Sequence, residues 1–535
     1  ITMKLRTKVT SFFLLVAVTT APGLFSRDRA FLEKFACGGL NYSLEAAFSP
    51  GQADLLLRGK TTANLSTGMR GENILLGVRC TEENFYVFWL NYRNKTIRLA
   101  YYDHHRDRSR VLKLDGFRFF ALPEIVEENG DLQALVFLGN QTGNDDVFHY
   151  DLEAETLTPL TRTPFSEKGF SLLKNAEGIE IETHSLWAQY RYHFDPRLRR
   201  SDLLEEKPLR SRQKKASIAP TPEYCNTYIG FGDSITWGQI EIVQRIDLCY
   251  LTQMRDIDLP LIYGPAQFIN LGIPAQTTYD GTLRVNQDLN ANPGFYFLLM
   301  LGVNDVWKKE FSLASSLENL EFIVDAALAR NMRVIISTLT PRKDPPHILH
   351  QYYWDQLYSL SAGILALAAE KGTASIDTLT AFMNTNPPDG WKDLLENPGT
   401  VIVDGIEEPV KGNHPNAAGH SLIASLFADA LANFPPLAPQ NITVMNHQDR
   451  QQKTAFWDAN YESDFSHFHI EFGFQPQDLR YSLDTTTSYR TFNLFPFLPQ
   501  FYFRIQTVDR GNHQSAFSTL ETTAASSATQ PNRKN

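Results

Sequence analysis

The stretch that decides the fold is Thr227–Gly238, which reads TYIGFGDSITWG. Its first half is a short apolar run of the kind that forms a buried strand, and its second half places Ser234 in a Gly-Asp-Ser turn. Backbone N–H groups at such a turn point at developing negative charge, and the flanking glycines permit a sharp backbone path. The tripeptide alone fits an ordinary helix cap equally well, so the stretch predicts a strand–turn–helix unit with Ser234 at the turn.

The same alternation of strand and helix signals continues from about residue 223 to residue 434. Buried-strand candidates are TYIGFG, QFINLG, FYFLLMLG, RVIISTL and TASIDTL, and helical periodicity marks SSLENLEFIVDAALAR, YWDQLYSLSAGILALAAEKG and NAAGHSLIASLFADALANF. Strands and helices in this order predict an α/β domain at 223–434 with a mostly parallel, doubly wound sheet.

Two further loops follow strands of this predicted sheet. They are Gly272–Thr277, GIPAQT, and Gly302–Asp305, GVND. Because loops after parallel strands gather at one edge of the sheet, Ser234, Ala275 and Asn304 should face a common crevice. The backbone N–H groups of Ser234 and Ala275 and the Asn304 amide are three donors suited to an acyl-transfer oxyanion. Taken alone, Asn304-Asp305 would be a turn that caps the next helix.

A fourth segment supplies a candidate base. Val410–His420 reads VKGNHPNAAGH and places His414 in a loop before a helix. In order, GDSIT.G, N.GI.A.T, GVND and GNHPNAAGH resemble the blocks of the SGNH (GDSL) hydrolase superfamily. The resemblance implies a flavodoxin-like three-layer domain that hydrolyses esters through an acyl-enzyme, with Ser234 as nucleophile and His414 as general base. It also implies an oxyanion hole of Ser234, Ala275 and Asn304, with Gly232, Asp233, Gly272 and Gly302 in supporting positions.

The chain departs from the superfamily pattern at two positions. Ala275 stands where glycine is usual, and Lys411 stands where an aspartate is usual, three residues before the histidine. A lysine has donors only and cannot accept a hydrogen bond from the imidazole. We expect Asp404 to orient His414, because strand ends hold side chains better than loops do. The alternatives are Glu407 or Glu408 from the next loop, or a backbone carbonyl that leaves a Ser-His dyad.

The regions on either side of the α/β domain have strand signals. Residues 27–200 carry alternating aromatic and β-branched runs, and Tyr101-Tyr102-Asp103, His149-Tyr150-Asp151 and His193-Phe194-Asp195 recur at a spacing close to that of propeller blades. The segment DDVFHYDLEAETLTPLTRTPFSEKG is similar to blades of TolB-like propellers. We therefore predict an all-β, propeller-like domain there, with a β-sandwich as the alternative.

Residues 437–524 return to short alternating strands and predict a C-terminal β-sandwich. NITV, Trp457 in the core, Tyr502 at the aromatic corner and the closing GNHQSAFS are similar to a fibronectin type III module. The charged, Pro-containing stretch 201–222 is interpreted as a linker, and the polar tail 525–535 as disordered. The fold class expected is thus multidomain, with a central α/β domain between two β domains.

The N-terminus and the composition bound the cellular context. Residues 1–26 combine basic residues, an apolar run and small residues, which predicts a secretory signal peptide cut between Ala21 and Ser26. The net charge of −10 argues against nucleic acid or an anionic membrane as the main partner. The four cysteines suggest the pairs Cys37–Cys80 and Cys225–Cys249, though other pairings stay open. No cysteine or histidine spacing indicates a metal site, and no cofactor is expected.

Together these features predict a secreted or periplasmic serine ester hydrolase without an integral membrane segment. Its expected substrate is a small-molecule or polysaccharide ester, with acetyl esters of carbohydrate favoured, because fibronectin-like modules accompany enzymes that act on polysaccharides. The alternatives are a lysophospholipase or lipase, and a binding or adhesion protein that carries an impaired hydrolase domain.

Overall fold

The architecture is that of a computed structural model, which describes most of residues 29–522. The residues left undescribed inside that range are 38, 50–51, 60–61, 82–83, 113, 115, 129–130, 142, 176–177, 196–199, 210–225, 242, 259–265, 309–310, 344–350, 386–389, 398, 404–405, 411, 447–451, 461, 463 and 494–500. The expected signal peptide at 1–26 and the tail at 525–535 lie outside the described residues. Among those described, no helix is long and apolar enough to cross a membrane.

Every regular element among the described residues of the N-terminal region is a strand, as predicted. Its strands are β1 (Arg29–Cys37), β2 (Leu40–Ser49), β3 (Gln52–Arg58), β4 (Thr62–Asn64), β5 (Glu72–Cys80), β6 (Phe85–Arg93), β7 (Thr96–Asp103), β8 (Arg108–Val111), β9 (Phe119–Phe120), β10 (Glu124–Glu128), β11 (Asp131–Asn140), β12 (Asp145–Asp151), β13 (Thr156–Pro159), β14 (Phe170–Asn175), β15 (Gly178–His184), β16 (Ala188–Asp195) and β17 (Arg200–Pro208). They form three sheets, within which β5–β8, β10–β13 and β14–β17 are successive antiparallel runs of neighbouring strands.

The three repeated tripeptides occupy equivalent positions in their sheets. Asp103, Asp151 and Asp195 end β7, β12 and β16, and each of these is the third strand of its run. The aspartate closes the turn that follows: Asp151 Oδ1 accepts hydrogen bonds from the N–H groups of Glu153, at 3.0 Å, and Ala154, at 2.8 Å. Asp103 Oδ1 likewise accepts the N–H of Arg106 at 3.2 Å, whereas residues 196–199, which follow Asp195, lie outside the described part of the chain. In the first two copies the repeat therefore marks a strand end that a carboxylate caps.

The predicted boundary between the N-terminal domain and the linker lies later in the chain than expected. Arg200–Pro208, the first part of the expected linker 201–222, is strand β17 and pairs with Ala188–Asp195. It is the outer strand of its sheet, and its described side chains are mostly exposed, so it shows the charged composition of a linker rather than an apolar period. The connection to the central domain starts no earlier than residue 209.

The two described cysteines of the N-terminal region are free thiols. Cys37 ends β1 and Cys80 ends β5, and neither forms the suggested disulfide. The Cys37 Sγ instead donates to the carbonyl of Asn84 at 3.5 Å. Cys249 is also free and is buried, whereas its suggested partner Cys225 lies outside the described residues.

The central domain alternates strands and helices as predicted. Its elements are β18 (Thr227–Gly232), α1 (Ser234–Trp237), β19 (Gln239–Ile240), β20 (Val243–Gln244), α2 (Tyr250–Gln253), β21 (Gln267–Gly272), α3 (Thr278–Ala291), β22 (Tyr296–Met300), α4 (Val303–Lys308), α5 (Leu313–Leu328), β23 (Arg333–Ser337), α6 (Gln351–Lys371), β24 (Ala374–Ile376), α7 (Thr378–Met383), β25 (Gly399–Val403), β26 (Ile406–Val410) and α8 (Ala417–Ala432). A π-helical turn covers Met254–Asp258 and a 3₁₀ turn covers Gly390–Leu394.

The main sheet of this domain is fully parallel, with strand order β21-β18-β22-β23-β24. Right-handed crossovers between strands in this order place α3, α5 and α6 on one face and α2 and α8 on the other. The packing agrees, because α5 contacts both α3 and α6, while α2 contacts α8. The result is the three-layer, flavodoxin-like arrangement expected, and its ligand-binding edge is the one where the strands end.

The C-terminal region forms two further sheets. Its strands are β27 (Thr443–Asn446), β28 (Gln452–Phe456), β29 (Phe465–Gly473), β30 (Tyr481–Thr485), β31 (Tyr489–Asn493), β32 (Tyr502–Asp509) and β33 (Glu521–Thr522). One sheet has the order β27-β28-β31 and the other β30-β29-β32-β33. Trp457 is buried between them and meets the Phe468 ring edge-on, with centroids 5.4 Å apart.

The N-terminal region docks where helices α5 and α6 begin. Lys168 is fully buried there, and its ammonium donates to Ser315 Oγ at 2.6 Å and to Glu318 Oε2 at 2.8 Å. The Glu72 carboxylate accepts the first two N–H groups of α6, from Gln351 at 2.9 Å and Tyr352 at 3.2 Å. Helices that follow parallel strands begin at the edge where those strands end, so this interface borders the ligand-binding edge.

The C-terminal region docks at the opposite edge. Arg333 opens strand β23, and its guanidinium bonds to Glu462 and to the carbonyl of Pro435. The other Glu462 oxygen accepts the N–H of Leu437 at 2.9 Å. Both charged side chains are buried, so each depends on the other for compensation of its charge.

Removing one partner of that buried pair should therefore weaken the fold. We expect Glu462→Gln to lower the free energy of unfolding by about 3 kcal/mol, because the Arg333 charge stays buried without a counter-ion. Urea unfolding followed by tryptophan fluorescence measures this. Arg480→Ala, which breaks an exposed pair with Asp478 in the same domain, is the control and should leave the curve unchanged. A curve for Glu462→Gln that overlays the wild type would contradict the interpretation.

Candidate active site

Ser234 stands where the sequence placed it, two residues beyond the end of strand β18 and at the start of helix α1. Asp233 caps that helix, because its Oδ1 accepts the N–H of Ile235 at 2.9 Å. The N–H of Ser234 is the first of the helix and has no acceptor within it. Asp233 is completely buried, and this burial raises its pKa to about 6, although the Ile235 N–H and the charge of His414 oppose the rise.

Gly272 explains how the neighbouring strand approaches this turn. A Cβ at residue 272 would lie 2.1 Å from the backbone nitrogen of Trp237 and 2.6 Å from the carbonyl carbon of Thr236. Any side chain would force the two backbones apart. Glycine therefore lets the loop after β21 lie directly against the serine turn.

The hydroxyl of Ser234 and the ring of His414 meet in the structure. Ser234 Oγ lies 2.8 Å from His414 Nε2, and both residues are buried, at 6% and 7% exposure. Just after the histidine, Asn416 begins helix α8 by accepting the N–H groups of Ala418, at 3.0 Å, and Gly419, at 3.1 Å. The helix start thus fixes the loop that carries the histidine, and a serine–imidazole pair of this geometry can transfer a proton.

Asn304 reaches the same turn from the loop after β22. Its Nδ2 donates to the carbonyl of Gln276 at 2.9 Å and lies 3.5 Å from Asp233 Oδ2. The Asn304 amide therefore connects the loop after β21 to the serine turn. One of its two N–H groups is anchored at Gln276, which leaves the second, with only the long contact to Asp233, for a bound oxygen.

Ala275 has a left-handed backbone, with φ at 62°. This is the conformation that explains why glycine is usual here, since a Cβ is disfavoured at positive φ. The turn is held from outside by Lys308, whose Nζ donates to the carbonyl of Ala275 at 2.6 Å. The alanine thus keeps the loop path that glycine would allow, at some cost in backbone strain.

Asp305 has a structural role. It is completely buried, and its carboxylate accepts the N–H of Thr278 at 2.9 Å and the hydroxyl of Ser316 at 2.9 Å. Burial raises the pKa of Asp305, while its bonds to Thr278 lower it. The residue ties the start of α3 to α5. The alternative reading, in which Asn304-Asp305 is a turn that caps the next helix, is wrong, because both residues lie inside α4 and the N–H that Asp305 accepts belongs to the preceding helix.

The second histidine of the segment, His420, is not part of the site. It is buried in helix α8, and its Nδ1 accepts the N–H of Tyr250 at 3.3 Å. Burial lowers its pKa to about 3, so the ring is neutral at ordinary pH. It joins α8 to α2 behind the serine turn.

A carboxylate that the sequence analysis did not consider lies beside His414. Glu396 Oε2 is 3.5 Å from His414 Nδ1, and its side chain is 1% exposed. The residue follows the 3₁₀ turn Gly390–Leu394, and its N–H donates to the carbonyl of His414 at 3.0 Å. No spacing rule in the sequence marked it, because the hairpin of β25 and β26 separates it from the histidine.

The structure does not describe the carboxylates that the sequence analysis named as partners of His414. Asp404 and Lys411 lie outside the described residues, as do the side chains of Glu407 and Glu408. The strands on either side of Asp404, Gly399–Val403 and Ile406–Val410, pair only with each other among the described strands and do not join the main sheet. The segment VIVDGIEE is therefore not an edge strand of the sheet that carries Ser234.

Comparisons with known proteins agree with this geometry. Residues 231–422 match the model of the GDSL-like Lipase/Acylhydrolase family. The central domain is that of a GDSL-type esterase. The esterase is also 25% identical over 175 residues, which are 30% of its chain and 71% of the relative, to an uncharacterized lipoprotein, YqeF, from Bacillus subtilis (strain 168).

Solved structures similar to the esterase include two hydrolases. One is a lipase/acylhydrolase from Enterococcus faecalis, at 20% identity and a TM-score of 0.32, with 39% of this chain and 95% of that chain covered. The other is a catalytic mutant of an acetylxylan esterase from Geobacillus stearothermophilus, at 19% identity and a TM-score of 0.30, with the same coverage of both chains.

The left-handed backbone at Ala275 gives a test of the loop. We expect Ala275→Gly to leave the free energy of unfolding unchanged or to raise it by up to about 1 kcal/mol, because relief of the Cβ strain offsets the greater freedom of glycine when unfolded. Ala329→Gly, where φ is −62°, should lower it by about 0.5–1 kcal/mol. Thermal unfolding of both variants checks this, and equal losses at the two positions would contradict the strain at Ala275.

Proposed function

We propose that the esterase hydrolyses carboxylic esters through an acyl-enzyme on Ser234, with His414 as general base and then general acid. The observation that carries the proposal is the 2.8 Å contact between Ser234 Oγ and His414 Nε2 at the edge where the parallel strands end. A hydroxyl is a weak nucleophile until a neighbouring base takes its proton, and this geometry provides that base.

The reaction runs in two balanced halves. The Ser234 oxygen attacks the ester carbonyl carbon while its proton passes to His414 Nε2. The C–O bond to the alcohol then breaks, and the alkoxide leaves with that proton. A water molecule repeats the sequence on the acyl-enzyme: it gives a proton to Nε2, attacks the acyl carbon, and the proton returns to Ser234 as the acid departs.

The negative oxygen of each tetrahedral intermediate needs donors in fixed positions. The N–H groups of Ser234 and Ala275 and the side-chain amide of Asn304 are assigned this role. The anchoring of Asn304 at the Gln276 carbonyl supports the assignment, because a donor already held in place does not reorganise during the reaction.

Burial of the reacting groups bears on the substrate. Ser234 and His414 are each less than a tenth exposed, which favours a small acyl group beside them. The loop Ile273–Ala275 at the mouth is exposed and can accept a large polar alcohol. We infer a short acyl group on a hydrophilic alcohol, and acetyl esters of carbohydrate are the substrate class that combines both properties. A lipase would need an apolar acyl site instead.

The flanking domains are proposed to be accessory modules of an exported enzyme. Three runs of four antiparallel strands, whose third strands all end in an aspartate, support a propeller-like N-terminal domain. Two packed sheets of three and four strands around Trp457 support a fibronectin type III-like C-terminal domain. The basic and apolar N-terminal sequence supports secretion.

Substitution of the nucleophile tests the chemistry. Ser234→Ala should reduce kcat for p-nitrophenyl acetate by at least about 10⁴-fold and abolish covalent labelling by a fluorophosphonate probe, because the acyl-enzyme can no longer form. Ser466→Ala, on the C-terminal domain, is the matched control and should behave as the wild type. Turnover that survives in Ser234→Ala would sink the proposal.

Acyl-chain length tests the substrate. With p-nitrophenyl esters of increasing chain length, we expect kcat/KM for the acetate to exceed that for the octanoate by at least about tenfold, since the burial of Ser234 favours a short acyl group. Release of acetate from an acetylated polysaccharide, measured against a phospholipid substrate, completes the comparison. A preference for octanoate would point to the lipase alternative.

A further inference from the structure

We propose that Glu396 is the positioning residue for His414 and replaces the acid that the sequence lacks at Lys411. The carboxylate comes from the other side of the hairpin formed by β25 and β26, 18 residues before the histidine. This inference rests on the proposed function, because a residue that orients a base matters only where the base works.

The two nitrogens of the imidazole have different partners. Nε2 meets Ser234 Oγ at 2.8 Å, and Nδ1 faces Glu396 Oε2 at 3.5 Å. The second distance is longer than a closed hydrogen bond, as is common in resting enzymes, where such contacts tighten once charge develops on the ring. The carboxylate therefore lies on the side of the ring from which a base is oriented.

Glu396 is held in this position at its backbone and at its side chain. Its N–H donates to the His414 carbonyl at 3.0 Å, and Leu395 and Pro415 form the adjoining antiparallel bridge. Its Oε1 accepts the N–H of Glu241, in the hairpin that follows the nucleophile helix. One carboxylate thus connects the segment of the base to the segment of the nucleophile.

The other carboxylate oxygen is left for the histidine. Oε2 is buried and has no hydrogen-bond partner among the described residues. A buried carboxylate oxygen without a donor is costly in free energy. When the proton of Ser234 reaches Nε2, the ring becomes a cation whose Nδ1–H can bond to Oε2. The arrangement is better satisfied in the transition state than at rest, which is what lowers a barrier.

A purely structural role for Glu396 makes a different prediction. Glu241 has a left-handed backbone, with φ at 50°, and a side chain at 396 that accepts its N–H would steady that turn. For this purpose the amide oxygen of glutamine serves as well as a carboxylate. The two roles therefore separate when the charge is removed and the shape is kept.

The decisive comparison is Glu396→Gln against Glu396→Ala. In the glutamine variant the amide oxygen must face the Glu241 N–H, which turns the amide nitrogen, a donor, toward His414 Nδ1. That favours the imidazole tautomer with its proton on Nε2, which cannot accept the proton of Ser234. The alanine variant loses the carboxylate but imposes no tautomer. Glutamine, structurally the milder change, should be the more damaging one.

We expect Glu396→Gln to lower kcat for p-nitrophenyl acetate by roughly 10⁴-fold, the loss that an acid-to-amide change at this position causes in serine proteases, with KM little changed. Glu396→Ala should lose less.

Two measurements keep the result interpretable. Asp393→Asn, an exposed acid in the same segment, is the control and should keep wild-type kcat, and the thermal unfolding midpoint of Glu396→Gln should stay close to that of the wild type. A glutamine variant that is faster than the alanine variant, or that keeps more than about a tenth of wild-type kcat, overturns the proposal. So does a large loss in Asp404→Asn with little loss in Glu396→Gln.

Failure of the proposed function would show separately. In that case wild-type turnover would persist in Ser234→Ala, and the assignment of Glu396 would fall with it. If Ser234→Ala is inactive and Glu396→Gln is not impaired, the esterase chemistry stands and only the positioning role is wrong.

Discussion

The contact between Ser234 and His414 depends on the backbone pairing between residues 394–396 and 414–416. The N–H of Asn416 donates to the Leu394 carbonyl at 3.0 Å, and the N–H of Glu396 donates to the His414 carbonyl at 3.0 Å. Together with the cap of helix α8 and the bond from the Lys343 N–H to the Gly412 carbonyl, at 2.8 Å, these bonds hold the loop that carries the His414 ring. The pairing also makes Glu396 the cross-strand neighbour of the histidine, which is why a side chain distant in sequence can act on it.

The two β domains contact opposite edges of the central sheet, so changes at their two interfaces reach the crevice by different routes. The N-terminal domain places Glu72 and Lys168 at the starts of α6 and α5, next to the loops that form the crevice. The C-terminal domain is joined through Arg333, where strand β23 begins. Because strands of a parallel sheet end at the same edge, a change at Arg333 reaches the crevice only through the sheet itself, whereas the N-terminal domain borders it directly.

Much of this arrangement was predictable because its causes are local. Apolar runs predicted all five strands of the main sheet, and the parallel order follows from their alternation with helices. The loops of Ser234, Ala275 and Asn304 were predicted to converge for the same reason, since each follows a strand of that sheet, whereas His414 was placed with them by the resemblance to the superfamily. The boundary at Arg200–Pro208 was missed because an exposed outer strand has the composition of a linker.

The partner of His414 could not be predicted, for a different physical reason. Glu396 is brought to the ring by hydrogen bonds between two chain segments that the β25–β26 hairpin separates, and a single sequence has no signal for which segments will pair. The superfamily pattern directed attention to Lys411 because it encodes one local route for delivering a carboxylate. The chemistry fixes only the charge beside Nδ1 and the direction from which it acts, not the segment that supplies it. A base can therefore keep its orienting acid while the acid moves along the chain, provided that backbone pairing returns it to the same side of the ring.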